Sequence, residues 1–151
     1  LSDPRVRFIY DDGVKFVADK KNEYDVIIVD SSDPIGPAVQ LFEYSFYQNI
    51  FRALKDDGLM VCQSQSPVFH LEILKKTFGH IRSLFPVAKL YTATVPTYPG
   101  GLWSFTLGAK RDVDLRQAAF SAKDTKYVNG EILESCFRLP QFVREQLGLN
   151  E

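Results

Sequence analysis

A chain of 151 residues, 45% hydrophobic and 25% charged, is long enough to bury one core and too short to expect two. Its 18 basic and 19 acidic side chains leave a formal net charge of -1, which excludes the basic excess of a nucleic-acid binder and any polybasic patch for an anionic membrane. No apolar stretch approaches bilayer-spanning length, and the start at Leu1-Ser2-Asp3-Pro4-Arg5 has neither an initiating Met nor the basic-then-apolar plan of a signal peptide.

In chain order, Val6 to Tyr10 is a short β-prone run ended by Asp11-Asp12-Gly13, and Val14 to Lys20 suits a brief helix. Tyr24-Asp25-Val26-Ile27-Ile28-Val29 is nearly all apolar and β-branched, the pattern of a strand buried on both faces of a parallel sheet. The loop Ser31 to Leu41 follows. Ser45 and Gln48 then have capping-box spacing, and Phe46, Tyr47, Ile50, Phe51 and Leu54 form the apolar face of a helix. Asp57-Gly58 is expected to stop it, with the glycine in the left-handed C-terminal position. Leu59 to Cys62 is the next strand. Leu71, Leu74, Phe78, Ile81 and Phe85 define a second helix that Pro86 ends.

Val87 to Val95 and Leu102 to Ala109 are two further strands, joined by Pro96-Thr97-Tyr98-Pro99-Gly100-Gly101. The remainder is polar until Pro140, which suits the start of a last helix ending near Leu147. Strands alternating with helices and closing in a hairpin predict an α/β fold. The expected form is the Rossmann-like fold of S-adenosylmethionine-dependent methyltransferases, a mostly parallel sheet with an antiparallel hairpin at its C-terminal end. No G-x-G-x-x-G follows any strand, so the first nucleotide-binding βα unit of such a fold is not among these residues. Cys62 and Cys136 lie far apart, beside apolar residues, and read as buried thiols; a cytoplasmic location is the expectation.

Ligands of open parallel sheets bind beyond the carboxyl ends of the strands. There stand Asp12-Gly13, the loop opening at Asp30, Gln63 and the segment around Tyr98. Two prolines and a glycine restrict the loop Asp30 to Ala38 and keep it from regular structure. Its two aspartates also suit turn capping. Gln63 could equally satisfy backbone groups, Tyr98 could anchor packing, and Asp12 could belong to an Asp-Gly turn. Trp103 and Phe105 read as core residues of the last strand, and His70 and His80 as surface or capping residues without metal partners.

The segment Asp30-Ser31-Ser32-Asp33-Pro34-Ile35-Gly36-Pro37-Ala38 resembles the signature of the polyamine aminopropyltransferases, the spermidine and spermine synthases. Tyr10-Asp11-Asp12-Gly13, Leu41-Phe42, Asp57-Gly58, Cys62-Gln63 and Val95 to Phe105 fall in the family's order and spacing, and the resemblance runs from about Asp3 to Leu147. It implies transfer of an aminopropyl group from decarboxylated S-adenosylmethionine to putrescine, giving spermidine and methylthioadenosine, with no metal or further cofactor. Asp30 is then the proton acceptor, and Asp30, Asp33, Tyr98 and Gln63 hold the diamine. Asp12 and Gly13 meet the adenine, and Pro37 lies against the nucleoside. A homodimer or homotetramer is implied, with neither nucleic acid nor membrane as partner.

The family pattern also has an N-terminal β-domain and a first βα portion that these residues lack. Residues 1–151 are thus expected to be the C-terminal part of the catalytic domain and to be inactive alone. Two rivals are a small-amine N-methyltransferase of the same fold and a non-catalytic homologue. Retention of Asp30, Asp33 and Tyr98 speaks against the second.

Overall fold

In the computed structural model, which describes residues 3–113 and 125–149, the chain order is α1 (Gly13–Ala18), β1 (Tyr24–Val29), a 3-10 helix (Gly36–Phe42), α2 (Tyr44–Ala53), β2 (Leu54–Gln63) and α3 (Leu71–Leu84). The hairpin strands β3 (Val87–Thr94) and β4 (Leu102–Ala109) come next, then α4 (Gly130–Ser135) and α5 (Gln141–Gln146). One sheet has the order β1-β2-β4-β3. β1 and β2 are parallel, and β4 is antiparallel to both of its neighbours. Three strands thus run one way, with β4 returning between two of them. This is an α/β sheet closing in the expected antiparallel hairpin; it is mixed, with β1–β2 the one parallel pair among the described strands, because β4 inserts between β2 and β3.

The two faces of the sheet differ. On one, Ile27, Val29, Met60 and Cys62 pack with Val17 of α1, Phe46, Tyr47 and Ile50 of α2, and Ile81 and Phe85 of α3. A smaller cluster of Leu74, Phe78, Leu90 and Val143 seats α5 on α3 and β3. On the other face, α4 and its flanks border a cavity over Tyr91 and Leu107. The β1 end is open, and Val26 and Ile28 are 52% and 74% exposed. β1 is therefore covered on one face, not both: among the described residues nothing packs over Val26 and Ile28.

Other local expectations are corrected by tertiary context. Residues 6–10 form no strand, because no neighbouring strand among the described residues offers a ladder, and Tyr10 stands 95% exposed. Pro37 at the start of a 3-10 helix puts regular structure inside the loop after β1. That helix runs straight into α2, so Glu43 takes the cap position and Ser45 lies inside the helix. Glu43 makes no side-chain cap; its carboxylate pairs with Lys76 of α3 at 2.8 Å.

Asp57-Gly58 does not end α2. Leu54 is already extended, and β2 begins there. Tyr24 pairs with Leu54 but Val26 with Leu59, so β2 carries extra residues in a bulge. Gly58 sits in that bulge, where a Cβ would lie 3.0 Å from the Leu54 side chain. α4 was not expected; Asn129 caps it by accepting from the Ile132 N–H at 2.8 Å. Of the polar stretch after Ala109, residues 114–124 lie outside the described residues, as do 1–2 and 150–151.

Gly108 of β4 is where α3 comes closest to the sheet. A Cβ there would meet Ile81 at 2.8 Å and the Phe85 ring at 2.9 Å. Gly108→Ala should destabilise by about 1–3 kcal/mol through overpacking, read as a lower urea midpoint at unchanged m-value; an unchanged midpoint would refute this packing.

Candidate functional site

A cavity of about 650 Å³ opens at the carboxyl ends of the parallel strands. Asp30 and Asp33 enter its wall from the segment after β1, Gln63 from the end of β2, and Tyr98 from the hairpin turn. The floor is apolar, with Ile28, Val61 and Phe105 from the open face of the sheet. Four sequence-predicted residues thus share one cavity. Asp30 and Asp33 are exposed to it, and the Asp30 carboxylate accepts no hydrogen bond from the described residues.

Two glutamines hold the segment in place. Gln63 is buried; its Nε2 donates to the Ser31 carbonyl at 3.1 Å, while its Oε1 accepts from Trp103 Nε1 and from the Gln65 N–H, each at 3.1 Å. Gln65 is fully buried, and its Nε2 donates to Asp33 Oδ1 at 2.9 Å. It holds a left-handed backbone at φ 72, one of two non-glycine residues with positive φ among those described. Such a conformation costs roughly 1–3 kcal/mol and persists only where neighbours enforce it. Here the enforcement comes from Ser104, whose N–H and hydroxyl both donate to the Gln65 carbonyl, at 3.0 and 2.6 Å.

Tyr98 is positioned by a tilted ring contact. Its ring lies 4.3 Å from that of Trp103 at an interplanar angle of 30°, and 46% of the residue is exposed. Gly100 and Gly101 close the turn at φ 73 and 69, where a side chain would be strained. Trp103 is buried as a core residue should be, yet it also borders the cavity and links Tyr98 to Gln63. Phe105 lines the cavity and stacks on Tyr91 at 5.1 Å. No motif or periodicity singles out Gln65. Its only mark is the spacing of two residues from Gln63 at a strand end.

The remaining sequence-predicted residues stand apart from this cavity. Gly13 lines a neighbouring one of about 390 Å³ that shares Ile28, Val29, Asp30 and Ser31 with the first. Asp12 caps α1, its Oδ1 accepting from the Val14 N–H at 2.9 Å, with the carboxylate still exposed. Pro37 is exposed in the first turn of the 3-10 helix. Behind the site, Cys62 is buried, and desolvation pushes its thiol up to about 11. His70 takes the cap position of α3 without a side-chain bond. His80 is half-buried, edge-on to Tyr44 at 5.6 Å, and its pKa is lowered chiefly by burial. No helix among the described residues is long and apolar enough to cross a membrane.

The spermine/spermidine synthase domain profile matches residues 1–117. The chain is 48% identical over 147 residues to a polyamine aminopropyltransferase of Caldicellulosiruptor bescii, covering 96% of this chain and 53% of that protein. A polyamine aminopropyltransferase of Moorella thermoacetica is 49% identical over 155 residues, covering 100% and 54%. Among solved structures, a spermidine synthase in complex with the transition state analogue AdoDATO superposes with a TM-score of 0.92 at 36% identity, over 99% of this chain and 53% of that one. The spermidine synthase of Thermotoga maritima gives 0.89 at 36% identity, over 99% and 52%. The chain spans about half the length of these relatives, and their fold is the Rossmann-like one expected from the sequence.

Gln63→Leu would leave the Trp103 and Gln65 N–H groups unpaired in a buried setting. Each such loss costs about 1–3 kcal/mol, so the urea midpoint should fall by an amount equivalent to about 2 kcal/mol or more. A variant as stable as wild type would mean that Gln63 does not tie these segments together.

Proposed function

This chain belongs to the spermine/spermidine synthase family, and we propose that it carries the diamine-binding and proton-accepting part of an aminopropyltransferase. The substrates on this reading are decarboxylated S-adenosylmethionine and putrescine. The observation that carries it is the meeting of Asp30, Asp33 and Tyr98 on one cavity at the strand ends.

The chemistry asks for this set of groups. A primary amine arrives as an ammonium with a pKa near ~10.4, so at neutral pH its free base is disfavoured by roughly three units, or about 4 kcal/mol. Asp30, whose carboxylate has no competing hydrogen bond among the described residues, accepts the proton as the amine becomes nucleophilic. The nitrogen lone pair then attacks the methylene next to the sulfonium. The carbon–sulfur bond breaks, and its electron pair leaves sulfur as a neutral thioether. The leaving group carries its own activation, and holding amine and methylene in line contributes much of the remaining rate.

Asp33 takes the second ammonium of the diamine, and the Tyr98 hydroxyl orients the attacking nitrogen. Gln63, on the same wall, completes the diamine pocket. The aliphatic stretch between the two nitrogens suits a floor of Ile28, Val61 and Phe105. Gly13 in the adjoining cavity, with exposed Asp12 and Pro37 nearby in sequence to its walls, is the proposed nucleoside end.

Full-length protein should release methylthioadenosine from decarboxylated S-adenosylmethionine in the presence of putrescine. Methyl transfer from S-adenosylmethionine in its place would move the assignment to an amine N-methyltransferase. Asp30→Asn should lower turnover by about a hundredfold or more, within the ~10²–10⁴ typical of a general base, while methylthioadenosine still binds. Undiminished turnover removes Asp30 from this role.

A further inference from the structure

Gln65 is the buried polar side chain at the site that the mechanism above leaves unused. We propose that Gln65 is a positioning residue that fixes the Asp33 carboxylate against the cavity wall and thereby sets which diamine length the site accepts. The inference rests on the aminopropyl-transfer reading for the identity of the ligand, though not for the contact itself.

Three observations carry it. Gln65 Nε2 donates to Asp33 Oδ1 at 2.9 Å, the single hydrogen bond that the Asp33 side chain makes among the described residues. Gln65 Oε1 is buried and has no partner among the described residues. Buried amide oxygens are seldom left so, and the orientation that leaves this one orphaned is the one that turns the N–H toward Asp33. The reverse orientation would set two acceptor oxygens against each other. Lastly, the backbone that aims the side chain is left-handed at φ 72 and anchored on both sides, by the Gln63 side chain at 3.1 Å and by Ser104 at 2.6 Å. Burial removes the freedom that a solvent-exposed amide would have.

The consequence for selectivity is geometric. A carboxylate held at one point relative to Asp30 favours diamines whose two nitrogens match that separation. A carboxylate free to turn about its own bonds follows the second nitrogen of a shorter or longer diamine.

The test compares wild-type full-length protein with Gln65→Met, which is of similar length and cannot donate, and Gln65→Glu, which keeps the shape. For Gln65→Met, the KM for 1,4-diaminobutane should rise on the order of tenfold, with kcat changing less and the affinity for methylthioadenosine kept. The ratio of kcat/KM between 1,4-diaminobutane and its three- and five-carbon analogues should narrow. Gln65→Glu places two carboxyl groups at hydrogen-bond distance, where they share a proton, so the pH profile of its diamine KM should differ from that of wild type by one added titration. Folded Gln65→Met with an unchanged KM and an unchanged length ratio overturns the inference. If Gln65→Met does not fold, an unaltered pH profile of Gln65→Glu overturns it. Should wild type turn over no diamine at all, the functional reading fails separately. The position of Asp33 in a crystal structure of a Gln65 variant then decides: displaced supports the inference, unmoved sinks it.

Discussion

Gln63 reaches three separate pieces of chain: the start of the segment after β1, the side chain of β4's Trp103, and the backbone of Gln65. The β1–β2 ladder ends at the pair Val29 and Cys62, one residue before both Asp30 and Gln63. Beyond that point no backbone pairing with another strand among the described residues fixes where the loop lies. Side-chain amides extend the strand register into the loop, Gln63 at Ser31 and Gln65 at Asp33. The position of Asp30 is therefore inherited from the sheet, and that of Asp33 is added by a side chain.

The packing of the sheet decides where this can happen. α1, α2 and α3 all pack with the Ile27, Met60 and Cys62 face, and Gly108 lets α3 press close against β4. The opposite face keeps Ile28, Val61 and Phe105 as an apolar floor under a rim of carboxylates and a phenol. An apolar floor with a few polar groups at one edge is the general make-up of a small-molecule site. On the proposed reading the floor takes methylenes and the rim takes nitrogens.

Much of this was legible in the residues. Runs of β-branched side chains and helical spacing of Leu and Phe located β1, α3 and the hairpin because the core rewards those patterns wherever they occur. What failed were features that another element decides. The residues from Val6 to Tyr10 have strand-like composition, but a strand needs a neighbour to pair with. Ser45 has the right spacing to cap a helix, yet the 3-10 helix delivers the chain so that α2 starts two residues earlier, with Glu43 at the cap position and paired with Lys76. Asp57-Gly58 looks like a helix stop and is a strand bulge, where the glycine serves close approach to Leu54 and not a left-handed turn. Gln65 was illegible for a related reason. Its importance lies in a positive φ and a contact 32 residues away, and neither leaves a trace in composition or period.

The choice of an amide over a charge at Gln65 has a physical basis. A lysine or arginine in place of Gln65 would grip the Asp33 carboxylate harder, since charge-assisted hydrogen bonds are roughly twice as strong as neutral ones. It would also have to be buried, at an effective penalty of several kcal/mol per ion. More importantly, it would cancel the negative charge that an incoming ammonium needs and occupy the acceptor oxygens it seeks. An amide N–H uses one lone pair of Asp33 and leaves the second oxygen and the net charge available. Asp33 can then be both ordered and attractive to a cation, because the group that orders it is neutral and the desolvation falls on the amide. An exposed carboxylate over a buried amide is thus the arrangement expected of a site that must fix an anion in place without neutralising it.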